Sequence, residues 1–150
     1  MASSYVSLWY HIVFGTKDRV PSLDPALRDR LFPYIGGIVR SEKGHLKAIG
    51  GMAEHAHLLL SLSQDRAIMD VVRVIKANSS KWIHETYAAL AGFGWQRGYG
   101  AFSVSPGDVA RVEAYVLGQA EHHRALSFQQ EFVAFLREHG VPFDERYIFQ

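Results

Sequence analysis

Residues 45–62 read HLKAIGGMAEHAHLLLSL. Two stretches, His45 to Ile49 and Met52 to Leu62, have the branched and apolar character of strands, and Gly50-Gly51 between them is a favoured pair for a tight hairpin turn. Along a strand, residues two apart point the same way, so Ala56, Leu58, Leu60 and Leu62 share one face while His55, His57 and Leu59 share the other. The leucines mark the core side. Both imidazoles then project from the opposite, open face, close enough together to bind one cation. Glu54 is expected to point to the leucine side, which makes it a poor ligand. With 8 histidines in 150 residues, chance alone supplies about 0.4 His-x-His pairs, so the pair gains meaning only from what surrounds it.

Outward from this hairpin, Tyr5 to Gly15 alternates as a strand, with Leu8, Tyr10, Ile12 and Phe14 on one side and Trp9, His11 and Val13 on the other. Asp24 followed by Pro25 is an N-cap with proline at the first helical position. Leu27, Leu31, Ile35 and Ile38 form that helix's apolar stripe, Pro33 should kink it, and Gly44 should stop it. Ile68, Val71, Val72, Ile75, Ser79, Trp82 and Ile83 repeat at helical spacing, predicting a second long helix to about Gly92. Tyr99 to Val104 is a fourth strand. Ser105, Pro106 and Asp108 open a third helix, and Ser127 with Gln130 forms the capping box of a fourth, ending before Gly140 and Pro142.

Strand, helix, strand, strand, helix, strand is the split βαβ order of a ferredoxin-like fold, here followed by two further helices. The expected architecture is a single α+β domain over residues 1–150: an antiparallel sheet with both crossover helices on one face and the other face free for a site.

The third helix supplies candidates for that face. Tyr115, Gln119 and His122 fall at i, i+4 and i+7, away from the stripe of Val109, Val112 and Val116. Two imidazoles and an amide oxygen form a mixed nitrogen and oxygen site suited to Mg2+ or Mn2+ and unlike a closed structural zinc site. Such an ion neutralises charge that develops on a phosphate during transfer. A tyrosine with an ordinary pKa of about 10 is ionised only about once in a thousand at neutral pH, so it needs a local base or a metal-bound phosphate to act as a nucleophile. His11 falls beside the pair if the first and third strands are neighbours, and His11 and His122 are candidates for a supporting role.

The net charge is +1, from 16 Lys+Arg against 15 Asp+Glu, so any nucleic-acid surface must be a local patch. Lys17, Arg19, Arg73, Lys76, Lys81 and Arg97 are candidate phosphate contacts. Of Trp9, Trp82, Trp95 and Tyr99, the sequence favours Trp95 and Tyr99 for stacking on unpaired bases, since Trp82 sits on a helical apolar stripe. There is no cysteine, which removes disulfides, thiolate metal sites and a cysteine nucleophile and fits a cytoplasmic protein. No run of about 18 apolar residues offers a membrane span.

The run EHAHLLLSL, together with YHIVFGTKDR, IKANSSKWIH, WQRGYGAFSVS and YVLGQAEHH, resembles the small single-tyrosine HUH transposases of insertion-sequence-200-like elements, including repeat-associated tyrosine transposases. The similarity spans nearly the whole chain. The resemblance implies a metal pair at His55 and His57, a third ligand at Gln119 and a nucleophile at Tyr115. It also implies cleavage and rejoining of single-stranded DNA at hairpin-bearing ends through a 5′-phosphotyrosine, in a homodimer whose tyrosine helices act in trans. Ala53-Glu54 stands where the family often has proline-aspartate. A host-retained relative processing palindromic repeats, a non-catalytic single-strand-binding module and a metal hydrolase remain alternatives.

Overall fold

A computed structural model describes residues 3–150. Its sheet has four antiparallel strands, β1 (Trp9–Gly15), β2 (Gly44–Met52), β3 (His55–Leu62) and β4 (Gly100–Val104), in the order β2-β3-β1-β4. Helix α1 (Pro25–Ser41) joins β1 to β2, and α2 (Ile68–Thr86) joins β3 to β4. This is the ferredoxin-like arrangement that the strand and helix order predicts.

One face of the sheet packs on α1 and α2. Ile12 and Phe14 from β1 and Ala56, Leu58, Leu60 and Leu62 from β3 enclose a core with Leu27, Leu31, Ile35, Val71, Val72 and Ile75. Asp24 caps α1, its side chain accepting from the Leu27 amide at 2.8 Å. The helix continues through Pro33 to Ser41. Lys43, at φ 61°, turns the chain out of α1 and Gly44 already opens β2. Helix α2 ends at Thr86, short of Gly92, and a 3-10 turn over Ala88–Leu90 follows.

The hairpin is not turned by its glycines. Gly50 and Gly51 lie inside β2, paired with His57 and Ala56, and the chain reverses at Ala53-Glu54. Their smallness serves close approach instead. A Cβ on Gly50 would fall 2.0 Å from the Val116 carbonyl oxygen, and one on Gly51 would fall 2.2 Å from the His55 carbonyl oxygen.

Nor is the second face of the sheet open. Helices α3 (Val109–Leu117), α4 (Gln119–His122) and α5 (Phe128–Glu138) lie over it. Val112 and Val116 pack on Ala48 and Leu59, while Phe128, Phe132 and Leu136 pack on Val13 and Phe102. The capping box of α5 is formed as its sequence predicts, with Ser127 and Gln130 each bonding the other's backbone amide. Among the described residues, no helix is long and apolar enough to cross a membrane.

Candidate active site

Register decides what β3 brings to the covered face. Val13 stands opposite His57, His11 opposite Leu59 and Gly15 opposite His55. His55 and His57 are 0% exposed, where the sequence placed them on an open surface. The difference arises because α5 carries an aromatic stripe that the sheet alone does not reveal. Phe128 stacks on His55 with ring centroids 4.1 Å apart, and Phe135 meets His11 edge-on at 4.9 Å. Gly15 makes the first contact possible, since a Cβ there would fall 2.8 Å from the Phe128 ring.

His11 lies with its Nε2 2.8 Å from Nδ1 of His57. Both rings are held neutral. Burial, and then the neighbouring His57, push His11 down to about 3. Burial pushes His57 down to about 4 against the opposing pull of Glu131.

The third-helix candidates arrive differently from their periodicity. Helix α3 stops at Leu117, and Gly118 turns the chain before the short α4 begins. Tyr115 and Gln119 both still reach the site, with the Gln119 amide donating to the Tyr115 carbonyl at 3.2 Å. His122 does not reach the imidazole cluster. It stacks on the Tyr115 ring, centroids 4.2 Å apart. The extra turn at Gly118 sends His123 inward in its place, its Nε2 3.1 Å from Gln119 Oε1.

Two carboxylates complete the site, and neither is apparent from motif spacing. Glu131 is 1% exposed on α5. Its Oε1 lies 2.8 Å from His57 Nε2, 3.2 Å from His123 Nε2 and 3.5 Å from His55 Nε2, and its Oε2 accepts from the Tyr115 hydroxyl. Burial alone would raise its pKa, but the hydrogen bond and charge of His57 and the Tyr115 hydroxyl hold it down to about 2. Burial and the adjoining Glu131 carboxylate keep the Tyr115 phenol protonated well above its ordinary range. Glu54, expected on the leucine side, instead receives His55 Nδ1 at 2.5 Å, and that bond holds its carboxyl below the usual carboxylate range. A lone acid within the Phe128, Phe132 and Phe135 stripe was the available signal for Glu131, as Gly118 was for His123.

His123 Nδ1 lies 2.6 Å from the Leu126 carbonyl and must donate, so Nε2 is the ring atom that could offer a lone pair to a cation. His55 Nδ1 donates to Glu54, so Nε2 is likewise the atom it could offer to a cation, 3.1 Å from Gln119 Oε1. Since the Gln119 NH2 is spent on the Tyr115 carbonyl, its oxygen is the atom facing both rings. One atom each of His55, His57, His123 and Glu131 lies within 4.8 Å of the others. Nitrogen and oxygen donors gathered this closely fit a divalent cation, which would displace the ring protons between them. A cavity of about 360 Å³ beside Tyr115 and Glu131, bounded by His11, Arg111 and His139, adjoins this cluster.

The candidate DNA contacts scatter over the surface. Lys17 is exposed, and Arg19 bonds Gln129 and lies over Phe149. Arg73 and Lys81 are exposed beside Asp70 and Glu85 on α2. Lys76 is half-buried, its ammonium donating to the carbonyls of Gln96, Arg97 and Gly98 at 2.9, 3.3 and 2.6 Å. Burial pushes its pKa down to about 8, which leaves it cationic at neutral pH. Arg97 is exposed in the same loop. Trp95, favoured for base stacking, is core: its indole donates to Ser79 Oγ at 3.0 Å and its ring packs edge-on against Phe14 and Phe93. Tyr99 remains partly exposed beside Lys76.

Fold and site together define a ferredoxin-like domain whose second face holds a buried histidine, carboxylate and tyrosine centre. The family described as "Transposase IS200 like" matches residues 4–119. The chain therefore belongs to the IS200-like transposase family. It is 27% identical over 117 residues to the ISDra2 transposase TnpA of Deinococcus radiodurans, covering 75% of this chain and 84% of that protein. A crystal structure of a protein from Deinococcus radiodurans R1, assigned as a transposase, superposes with a TM-score of 0.65 at 25% identity, over 77% of this chain and 94% of the other. The fold also matches that of a REP-associated tyrosine transposase solved bound to a REP hairpin, with a TM-score of 0.56 at 15% identity, over 99% of this chain and 81% of that one.

Proposed function

We propose that this chain cleaves and rejoins single-stranded DNA at hairpin-bearing ends by metal-assisted transesterification through a 5′-phosphotyrosine at Tyr115. The observation that carries this reading is that His55 Nε2 lies 3.1 Å from Gln119 Oε1 while the His57 ring lies 5.8 Å from that of Tyr115. His55, His57 and Gln119 would hold a divalent cation, Mg2+ or Mn2+. When bound, that ion supplies positive charge for the phosphate oxygens.

The chain's own residues do the rest. Tyr115 Oη forms the new bond to phosphorus while the bond to the 3′ oxygen of the preceding nucleotide breaks. The phenol proton leaves toward Glu131, which already accepts it as a hydrogen bond, and the departing 3′ oxygen takes up a proton. The reverse attack by another 3′ hydroxyl rejoins a strand. One phosphodiester replaces another, so no external energy source enters. A hairpin substrate is in keeping with the fold neighbour solved on one.

The family resemblance implies a homodimer with the tyrosine helix acting in trans. The Tyr115 hydroxyl here meets Glu131 of its own chain, which supports a tyrosine acting in cis. A host-retained enzyme acting on dispersed palindromic repeats would use the same chemistry, and the two differ only in which hairpins are cut.

Incubation of the protein with labelled single-stranded hairpin oligonucleotides and Mg2+ or Mn2+ tests the reading. A denaturation-resistant adduct is expected, absent from Tyr115→Phe. An adduct that persists in Tyr115→Phe sinks the mechanism, and turnover without any adduct points to a hydrolase.

A further inference from the structure

The span matched to the family ends at residue 119, yet the cluster does not. His123 and Glu131 lie beyond it, on the turn after α4 and on α5, and both aim side-chain atoms at the point where His55 and His57 meet. Several contacts hold them there. His123 is locked by its bond to the Leu126 carbonyl. Glu131 is fixed on a capped helix whose Phe128, Phe132 and Leu136 are buried against the sheet.

We propose that Glu131 is itself a ligand of the cation through Oε1 while its Oε2 holds the Tyr115 hydroxyl, and that with His123 it makes a three-imidazole, one-carboxylate centre selecting a transition ion over magnesium. The inference rests on the metal-centre reading above and narrows it: His123 and Glu131 take the place given there to Gln119 beside His55 and His57, and of Mg2+ and Mn2+ only the transition ion is retained.

The chemistry of selection is that of the donor set. Magnesium favours oxygen donors and water, and gives up its hydration reluctantly. His55, His57 and His123 offer borderline nitrogen donors in a space that is 0% exposed at the first two, which suits zinc, cobalt or manganese. His55 and His123 direct Nδ1 to acceptors, Glu54 and the Leu126 carbonyl. His57 faces His11 on its far side, which can accept in the same way. This outer shell orients each ring with Nε2 toward a metal. A carboxylate spanning ion and nucleophile also ties the hydroxyl's place to the ion's, so one residue from α5 sets the distance between charge and attacking atom.

Metal-stripped protein titrated with Co2+, read by its visible ligand-field absorption, tests this apart from activity, with Mg2+ binding followed by calorimetry. One Co2+ should bind with affinity at least about a hundredfold above that for Mg2+. Glu131→Gln and His123→Gln should each weaken Co2+ by more than about tenfold with their circular dichroism intact. In the unaltered protein, Zn2+ should shift the imidazole nitrogens of His55, His57 and His123 and leave those of His84 in place, a measurement that stands even where a variant fails to fold. Unchanged Co2+ affinity in both variants, with loss in His57→Ala, overturns the inference and leaves the metal reading of His55 and His57 intact. Equal affinities for Mg2+ and Co2+ overturn the selectivity. Absence of Co2+, Zn2+ and Mg2+ binding by the unaltered protein overturns both readings together.

Discussion

The Tyr115 hydroxyl donates to Oε2 of Glu131, and the other oxygen of that carboxylate lies 2.8 Å from Nε2 of His57. A residue of α3, one of α5 and one of β3 are thereby joined in a single buried polar chain. Removing the hydroxyl leaves Glu131 with one donor fewer in a place water barely reaches. Tyr115→Phe should therefore lose the DNA adduct and also cost roughly 1–3 kcal/mol of stability, measured by denaturant unfolding. A variant as stable as the parent would mean that this bond contributes nothing to the fold.

Gly50 controls how closely α3 approaches the sheet. It pairs with His57, and a Cβ there would fall 2.0 Å from the carbonyl oxygen of Val116, the residue after Tyr115. That neighbour is backbone and cannot swing aside, so Gly50→Ala must displace α3 and Tyr115 with it. Overpacking of this kind typically costs roughly 1–3 kcal/mol. The adduct yield should fall further than stability does, because phosphoryl transfer needs the hydroxyl in line. Gly107→Ala, where no atom lies within 4 Å of the added carbon, is the control and should change neither melting temperature nor yield.

Much of this was legible in the sequence because it is written in short periods. Alternation in β1 and β3 separates the leucine face from the histidine face, and Asp24-Pro25 and Ser127/Gln130 announce helix starts through their own side chains. What depended on contacts between distant segments was not legible. Gly50-Gly51 has the composition of a turn, and only the carbonyl of Val116 reveals its other use. His122 occupies the right place on an unbroken helix, but the turn at Gly118 hands the inward position to His123. Glu131 has no motif at all. Its meaning comes from a sheet more than seventy residues earlier, through His57.

Acid should unfold the metal-free protein early. His11 and His57 are held down to about 3 and about 4 in the fold, against about 6.5 in an unfolded chain. Between those values the unfolded chain binds protons that the folded one refuses, so stability is complete above about 6.5 and falls as pH drops toward 4. Each fully refused proton contributes a slope of about 1.4 kcal/mol per pH unit. Glu131, held down to about 2, adds its own loss only below the ordinary carboxylate range. Unfolding free energies measured from pH 7 to 4 in a chelator should show this fall, and His11→Gln should make it shallower. A slope unchanged by that substitution contradicts the titration of His11.

Lys76 and Arg97 sit close together but should behave as different kinds of residue. The Lys76 ammonium is engaged by three carbonyls of the loop that leads into β4, whereas Arg97 is exposed. Lys76→Met should lower the melting temperature, since it leaves those acceptors unpaired. Arg97→Ala should leave melting unchanged, weaken single-stranded DNA binding for all sequences alike, and reduce the salt slope of binding by about one. Binding isotherms at several salt concentrations separate the two. An Arg97 variant with parental affinity and slope removes that residue from the DNA surface.

Whether one chain holds a whole site can be read from mixed subunits. Tyr115 reaches Glu131 within its own chain, because α3 is seated on β2 at Gly50 and a single 3-10 turn links it to β4. To serve a partner, that helix would have to leave the Val112 and Val116 contacts with Leu59 that bury it. Tyr115→Phe lacks the proposed nucleophile and keeps the imidazoles, while His57→Ala keeps that hydroxyl and loses one of them. If the tyrosine acts in cis, every site in a mixture of the two remains defective, so adduct formation should stay at the level of the separate variants. Recovery of adduct on mixing would mean that the helices exchange between subunits, and that the contact between Val116 and Gly50 is one the protein makes and breaks as it assembles.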